Sequence, residues 1–371
     1  MRGADAMQEG LFTVAKLDDF VPQDHPLRAV RQLVNAALSE MNARFNEIYA
    51  PSGRDSIAPE KLIRALLLQV FFSIRSERQL CEQLRYNLLF RWFVGLAIDD
   101  PIWDHSSFSK NRDRLIAHQV VEGLFAEVLR LATQQDLLSK EHFSVDGTLI
   151  QAWASHKSLR PKDGSQDQDQ DPGGGGRNAQ VDWKGRPRSN DTHASTTDPD
   201  ARLYRKSHNT AAILCYQAHA LMENRSGLVV SAVVTHADGF GERRAAVAML
   251  DTLPVSSVRR SVGADKAYDT SDFVAACRQR NVAPHVACNS TRIGGSAIDG
   301  RTTRQRGYRL SQIVRKRIEE HFGWGKTIGG IRQTVFRGLQ RVDQHFKLTV
   351  TASNLIRLAR ISIAPPATVP R

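Results

Sequence analysis

Apolar residues recur at helical spacing through most of positions 1–137. In APEKLIRALLLQVFFSI, Leu62, Ile63, Leu66, Leu67 and Val70 fall on one face and Pro59 suits a first helical turn, so the stretch predicts a helix. SERQLCEQLRYNLLFRWFVGL continues the pattern, with Ser76 as N-cap and Leu80, Leu84, Leu88 and Phe90 directed inward. After the turn-rich AIDDPIWDHSS comes a third amphipathic stretch, SSFSKNRDRLIAHQVVEGLFAEVLRLATQQ. Short helices joined by short turns predict an all-helical, helix-turn-helix-like domain over 1–137.

At Glu141 the period changes. HFSVDGTLIQAWAS alternates as a strand does, and TAAILCYQAHALMENRSGLVVSAVVTHAD predicts two strands joined at Asn224, Arg225, Ser226 and Gly227. A helix (GERRAAVAMLDTL), a strand (VRRSVGADKAY), a helix (TSDFVAACRQR), a short strand (VAPHVAC) and a helix (LSQIVRKRIEEHFGWGKTI) follow. That order predicts an α/β domain over 138–361, a mixed sheet with helices on its faces, followed by a tail at 362–371. Between Lys157 and about Arg202 the chain is Gly, Pro, Ser, Asp and Gln with little to bury, which predicts a mobile insertion.

The length, 371 residues, fits two domains, or one with a large accessory region. The charge is +12, and it is concentrated: Arg301 to Lys347 carry twelve basic and three acidic residues. Such a stretch inside a folded pattern suits a face that binds a polyanion, of which nucleic acid is the commonest, the alternative being a solvated helix face. Cys81, Cys215, Cys277 and Cys288 show no zinc spacing and read as buried small hydrophobes. No signal peptide and no apolar run near the roughly 18 residues of a membrane span appears, so a cytosolic protein is expected.

Asp146 interrupts an otherwise apolar strand, where an unpaired carboxylate costs several kcal/mol. Asp265 ends SVGAD, and Glu319 lies in RIEEHFGWGK. Strand ends of an open α/β sheet are where reactive groups converge. Gathered carboxylates need a cation, and an all-oxygen set suits Mg²⁺ or Mn²⁺, which makes Asp146 a candidate metal ligand. Taken singly, a strand aspartate also reads as a capped turn or a salt bridge, and the spacing of Glu319 and Lys326 as surface decoration. Arg315, Glu319, Phe322 and Lys326 share one helical stripe, so Glu319 can face metal while Arg315 and Lys326 reach phosphates.

These residues resemble the DDE transposases of bacterial insertion sequences, specifically insertion-sequence family five, related to family four. FSVDGTLIQAWASHKS, TTDPDARLYRKS, GADKAYDTSDF and RKRIEEHFGWGKTIGGIRQT are similar to the blocks these enzymes share, and APEKLIRALLLQVFFSIRSERQLCEQLRYNLLFRWFVGL to their N-terminal helical domain. The resemblance spans nearly the whole chain. It implies a ribonuclease-H-like catalytic fold with Asp146, Asp265 and Glu319 as acidic triad and metal ligands. Its Tyr-Arg-Glu-Lys signature maps onto Arg315, Glu319 and Lys326, with Gln312 at the tyrosine position.

Family and residues together imply two-metal phosphoryl transfer with Mg²⁺, Mn²⁺ substituting. Asp146 bridges the two ions, Asp265 holds one and Glu319 the other; water cuts the element's ends and the freed 3′-OH attacks target DNA. The partners implied are double-stranded DNA, as terminal inverted repeats and as target, and a second copy of the chain, in a cytoplasmic, nucleoid-associated setting. Arg315 and Lys326 would position end phosphates. Arg301, Arg304, Arg306 and Arg309, with Lys316, Arg332 and Arg337, would add sequence-independent grip. SSFSKNRDRL is the candidate reading helix, through Lys110, Asn111 and Arg112.

Two rival functions stand beside this one: a domesticated metal-dependent endonuclease that cuts without joining, and a catalytically silent DNA-binding repressor. Smaller alternatives stay open too. His236 and Asp238 either approach the metal site or cap the next helix, Trp153 is core or stacks on an unpaired base, and Lys206 and Lys266 touch phosphate or solvent.

Overall fold

The computed structural model describes residues 2–5, 16–50, 52–53, 55–163, 188–206, 210–291 and 294–363. They form two compact units, one within Met1–Leu138, Ile328–Gly330 and Lys347–Arg371, the other within Ser139–Thr327 and Ile331–Phe346. No helix among the described residues is long and apolar enough to cross a membrane.

The first unit holds α1 (Leu27–Glu40), α2 (Asn42–Ile48), α3 (Pro59–Phe71), α4 (Glu77–Tyr86), α5 (Leu88–Val94), α6 (His105–Ala117) and α7 (Val120–Gln134). Pro59 opens α3, and Ser76 caps α4 by accepting from the Gln79 amide. The apolar stripe of α3 is buried, as are Leu80, Leu84 and Phe90. Leu88 is a correction: it is exposed, because the stretch breaks at Asn87, whose side chain accepts from the Phe90 amide and starts a new helix. The third stretch likewise divides, at Gln119, whose φ of 52° is left-handed.

The second unit is built on strands β1 (His142–Gln151), β2 (Leu159–Pro161), β3 (His193–Ser195), β4 (Arg202–Tyr204), β5 (Ile213–Glu223), β6 (Val229–His236), β7 (Arg260–Ala264) and β8 (Val282–Val286). Its helices are α8 (Gly241–Asp251), α9 (Ser271–Gln279), α10 (Gly300–Thr303), α11 (Arg306–Val314) and α12 (Ile318–Thr327); a last helix, α13 (Leu339–Ile363), has residues in both units. Across the sheet the order is β6-β5-β1-β7-β8, with β4 paired to the start of β5. The first three strands are antiparallel; β1, β7 and β8 are parallel. This is the ribonuclease-H-like arrangement, and its mixed sheet follows from a hairpin succeeded by strand–helix–strand crossovers.

The hairpin lies where the pattern put it. Glu223 accepts from the amides of Arg225 and Ser226, and Gly227 takes the positive φ that the turn requires. Pro284 sits in β8, an edge strand, where its missing N–H costs little. Phe143 and Val145 of β1 pack with Leu221, Val262 and Ala264 against Ala246, Met249 and Leu250 of α8 and Phe273, Val274 and Cys277 of α9.

Both flanks of the expected insertion carry structure, contrary to expectation: β2 pairs antiparallel with β3, and the hydroxyl of Tyr216 donates to both carboxylate oxygens of buried Asp198 at 2.7 Å. Its middle, 164–187, and the tail beyond 363 lie outside the described residues. Cys81, Cys215 and Cys277 are buried, but Cys288 is exposed near the Tyr308 hydroxyl.

Candidate active site

Side chains of β1 alternate, so Phe143 and Val145 enter the core while Ser144 and Asp146 face the other way. β1 pairs with β7 from His142↔Ser261 to Ser144↔Gly263. Carried on by two residues, that register sets Asp146 level with Asp265, just past the end of β7. Gly263 lets a helix come close here: a Cβ on it would lie 3.2 Å from the Ser311 carbonyl and 3.4 Å from Cβ of Arg315. The absence of a side chain on β7 therefore brings the segment carrying Arg315 down onto the sheet.

One oxygen of each aspartate is held by backbone. Asp146 Oδ1 accepts from the Gly147 amide and Asp265 Oδ1 from the Ala267 amide, both at 2.8 Å. Burial pushes the Asp146 carboxyl up to about 7; the Gly147 amide opposes this, the charges of Asp265 and Glu242 add to it, and Arg315 pulls it down. Burial, with Lys206 and Arg332 nearby, lowers the Lys326 ammonium, against the pull of Asp146.

The structure thus brings together Asp146, Asp265, Arg315 and Lys326. Glu319 stays exposed in the first turn of α12, without a hydrogen bond or ion pair among the described residues; Lys326 lies on the same helix, and Arg315 in the 3-10 turn that precedes it. Ile318, Phe322 and Gly325 are buried and pack that helix down. Gln312, at the tyrosine position, has a structural role: its Nε2 donates to the His285 carbonyl and its Oε1 accepts from Arg315 Nε at 3.0 Å.

Glu242 was missed by the sequence reading. It lies in the first turn of α8, where burial and then the charge of Asp265 push its carboxyl up. A Cβ on Gly147 would lie 3.2 Å from its Cγ and Oε1, so the glycine beside Asp146 is the space that admits it. The signal was DG in β1, a glycine inside a strand, which often marks a close approach.

The remaining expectations resolve separately. Arg301, Arg304, Arg306, Arg309, Lys316, Arg332 and Arg337 are all exposed. Lys110 is exposed, but Arg112 is a correction: it forms a half-buried ion pair with Glu77 and bonds Asp113 at 3.0 Å, which withdraws it from a reading surface. Asn111 donates to the Ser107 carbonyl of its own helix. Asp238 caps α8, accepting from the Phe240 amide and pairing with Arg244. Trp153 is 51% exposed rather than core, and Lys206 and Lys266 are exposed.

Among the described residues no group of three or more His, Cys, Asp or Glu stands arranged to hold a metal ion. The donor chemistry nevertheless suits one. Among the described residues both aspartates keep an oxygen free of hydrogen bonds, and the nearby acids are hard oxygen donors whose mutual repulsion a divalent cation relieves.

A ribonuclease-H-like sheet bearing one aspartate within its central strand and a second just past the end of the neighbouring parallel strand, edged by arginine and lysine, defines an enzyme of the polynucleotidyl-transferase class. Residues 138–355, more than half of the chain, match the family model described as Transposase DDE domain, and residues 15–114 match that described as Transposase domain (DUF772). The chain belongs to the DDE transposase family and is a DDE-type DNA transposase. A solved structure similar to it is the cryo-EM structure of piggyBac transposase synaptic complex with hairpin DNA, at 9% identity and a TM-score of 0.41 over 91% of this chain and 76% of that one. Among curated proteins nothing matches.

Proposed function

We propose that the protein is the transposase of a bacterial insertion sequence of family five, cleaving the element's ends and joining the freed 3′-hydroxyls to target DNA. The observation that carries this reading is the convergence of Asp146 and Asp265 on adjacent parallel strands beside Arg315 and Lys326.

Asp146 and Asp265 would hold divalent ions through their unengaged oxygens, with Glu319 joining them when α12 meets DNA. A pair of Mg²⁺ ions bound there would supply Lewis acidity at the attacking and the leaving oxygen. Arg315, fixed by Gln312, and Lys326, kept close to Asp146, orient the phosphates of the end. In the first step a water oxygen bonds to phosphorus and the P–O3′ bond breaks, leaving a 3′-hydroxyl. In the second, that oxygen bonds to a target phosphorus and displaces the target's own 3′-oxygen.

The exposed arginines between Arg301 and Arg337 supply nonspecific grip, and Lys110 on α6 contributes to holding the ends. Two ends must be held together, which calls for a homodimer on DNA. The test uses a labelled terminal repeat, a target plasmid and Mg²⁺: joined product is expected with the unaltered protein and neither cleavage nor joining with Asp146→Asn. Cleavage without joined product would replace transposition by an endonuclease; unchanged cleavage by Asp146→Asn would remove the catalytic assignment altogether.

A further inference from the structure

Glu242 lies against β1 at the one position where β1 has no side chain. The point where a Cβ of Gly147 would stand is 3.2 Å from Glu242 Oε1 and 3.2 Å from Nδ1 of His219, the residue directly across the β1–β5 ladder. Among the described residues Glu242 makes no hydrogen bond and no ion pair. The nearest cations are occupied or remote from pairing: Arg243 lies over the Phe240 ring and donates to the carbonyls of Ala267 and Gly239, and Lys206 is exposed.

Two polar atoms near this carboxylate are buried with no partner among the described residues, His219 Nδ1 and Tyr268 Oη. His219 Nε2 and the Thr235 hydroxyl are hydrogen-bonded at 2.9 Å, while Nδ1 lies with the Glu242 carboxylate around the bare Gly147 and has no partner among the described residues. A buried polar atom left in this way calls for an ordered water. The Tyr268 hydroxyl, fully buried, lies in the field of Glu242, Asp146 and Asp265 together and has no acceptor among the described residues. A hydrated cation supplies what is lacking: charge for the carboxylates and ordered water for the two orphaned atoms.

We infer that Glu242 is a third carboxylate of the divalent-cation site, acting on the ion or its bound water alongside Asp146 and Asp265, with His219 and Tyr268 ordering that water. The inference rests on the reading that the two aspartates bind such an ion.

Mn²⁺ binding to the full chain without DNA, by calorimetry, tests both, together with the melting temperature of each metal-free protein. Glu242→Gln is expected to weaken Mn²⁺ binding at least tenfold while leaving the metal-free melting temperature equal or higher, since it removes a repelled charge. Asp146→Asn is expected to abolish binding. If Glu242→Gln binds as the unaltered protein does while Asp146→Asn does not, Glu242 is no part of the site and the aspartate reading stands. If Asp146→Asn binds unchanged, the aspartate reading falls first. A drop in the metal-free melting temperature on Glu242→Gln would make the residue a structural support and overturn the inference. Glu242→Cys gives an independent readout: end cleavage should be lost with Mg²⁺ and return with the thiophilic Cd²⁺, and an unaltered ion preference would overturn it equally.

Discussion

Gln312 holds Arg315: its Oε1 accepts from Arg315 Nε at 3.0 Å, while its Nε2 is anchored on the His285 carbonyl of β8. We expect Gln312→Ala to cost about 1 kcal/mol in stability, the net worth of a hydrogen bond. The larger effect should be on DNA: weaker end binding and roughly tenfold slower cleavage, as expected when a positioned charge is set loose. Equal loss of cleavage with random-sequence and end DNA binding untouched would contradict this.

Asp146 titrates near 7 in the folded protein against an ordinary value of 3.8, so the native state holds that proton more tightly than the unfolded one. Its contribution therefore favours folding at low pH and is lost as pH rises from about 4 to about 7. The Asp146→Asn protein should accordingly gain stability over the metal-free unaltered protein progressively through that window, with a plateau above it. Urea melts of both proteins across pH measure this; a difference that is constant with pH would contradict the burial of the charged group.

Gly147→Ala should disturb the site where Glu242 approaches β1. The added methyl meets Glu242 and His219 at 3.2 Å, closer than ordinary contact, and at least one must move. Overpacking of this kind costs about 1–3 kcal/mol. Thermal melts should show the loss, and end cleavage should fall with it.

Arg112 and Arg309 should behave differently although both were expected at DNA. Arg112 pairs with Glu77, both sides largely shielded from water, so Arg112→Ala strands a carboxylate and should destabilise the protein by a few kcal/mol while leaving the salt dependence of DNA binding unchanged. Arg309 is exposed, so Arg309→Ala should leave the melting temperature alone and flatten the slope of log affinity against log salt by about 1. Titrations at several salt concentrations separate the two.

The helices and strands were largely legible because their signals are local. The apolar stripe of α3, the Ser76 cap and the hairpin at 224–227 all follow from neighbours within a few positions along the chain. Where the reading failed, the cause lay farther away. Leu88 and Trp153 are apolar yet exposed, and the ends of the expected mobile insertion pair with each other and tie to Tyr216 through Asp198.

For the site, the sequence by itself determined the acid types, their places on strand and helix, and the basic run beside them, since carboxylates in apolar strands and clustered arginines are visible in the linear order. Only the tertiary structure decided which of those groups meet. The parallel β1–β7 register sets Asp146 beside Asp265, two glycines set the approach of α8 and of the Arg315 segment, and Glu242 enters where the chain gave no acidic motif. The physical reason is that strand register and close backbone approach join residues about a hundred positions apart, and no periodicity within either segment encodes that distance.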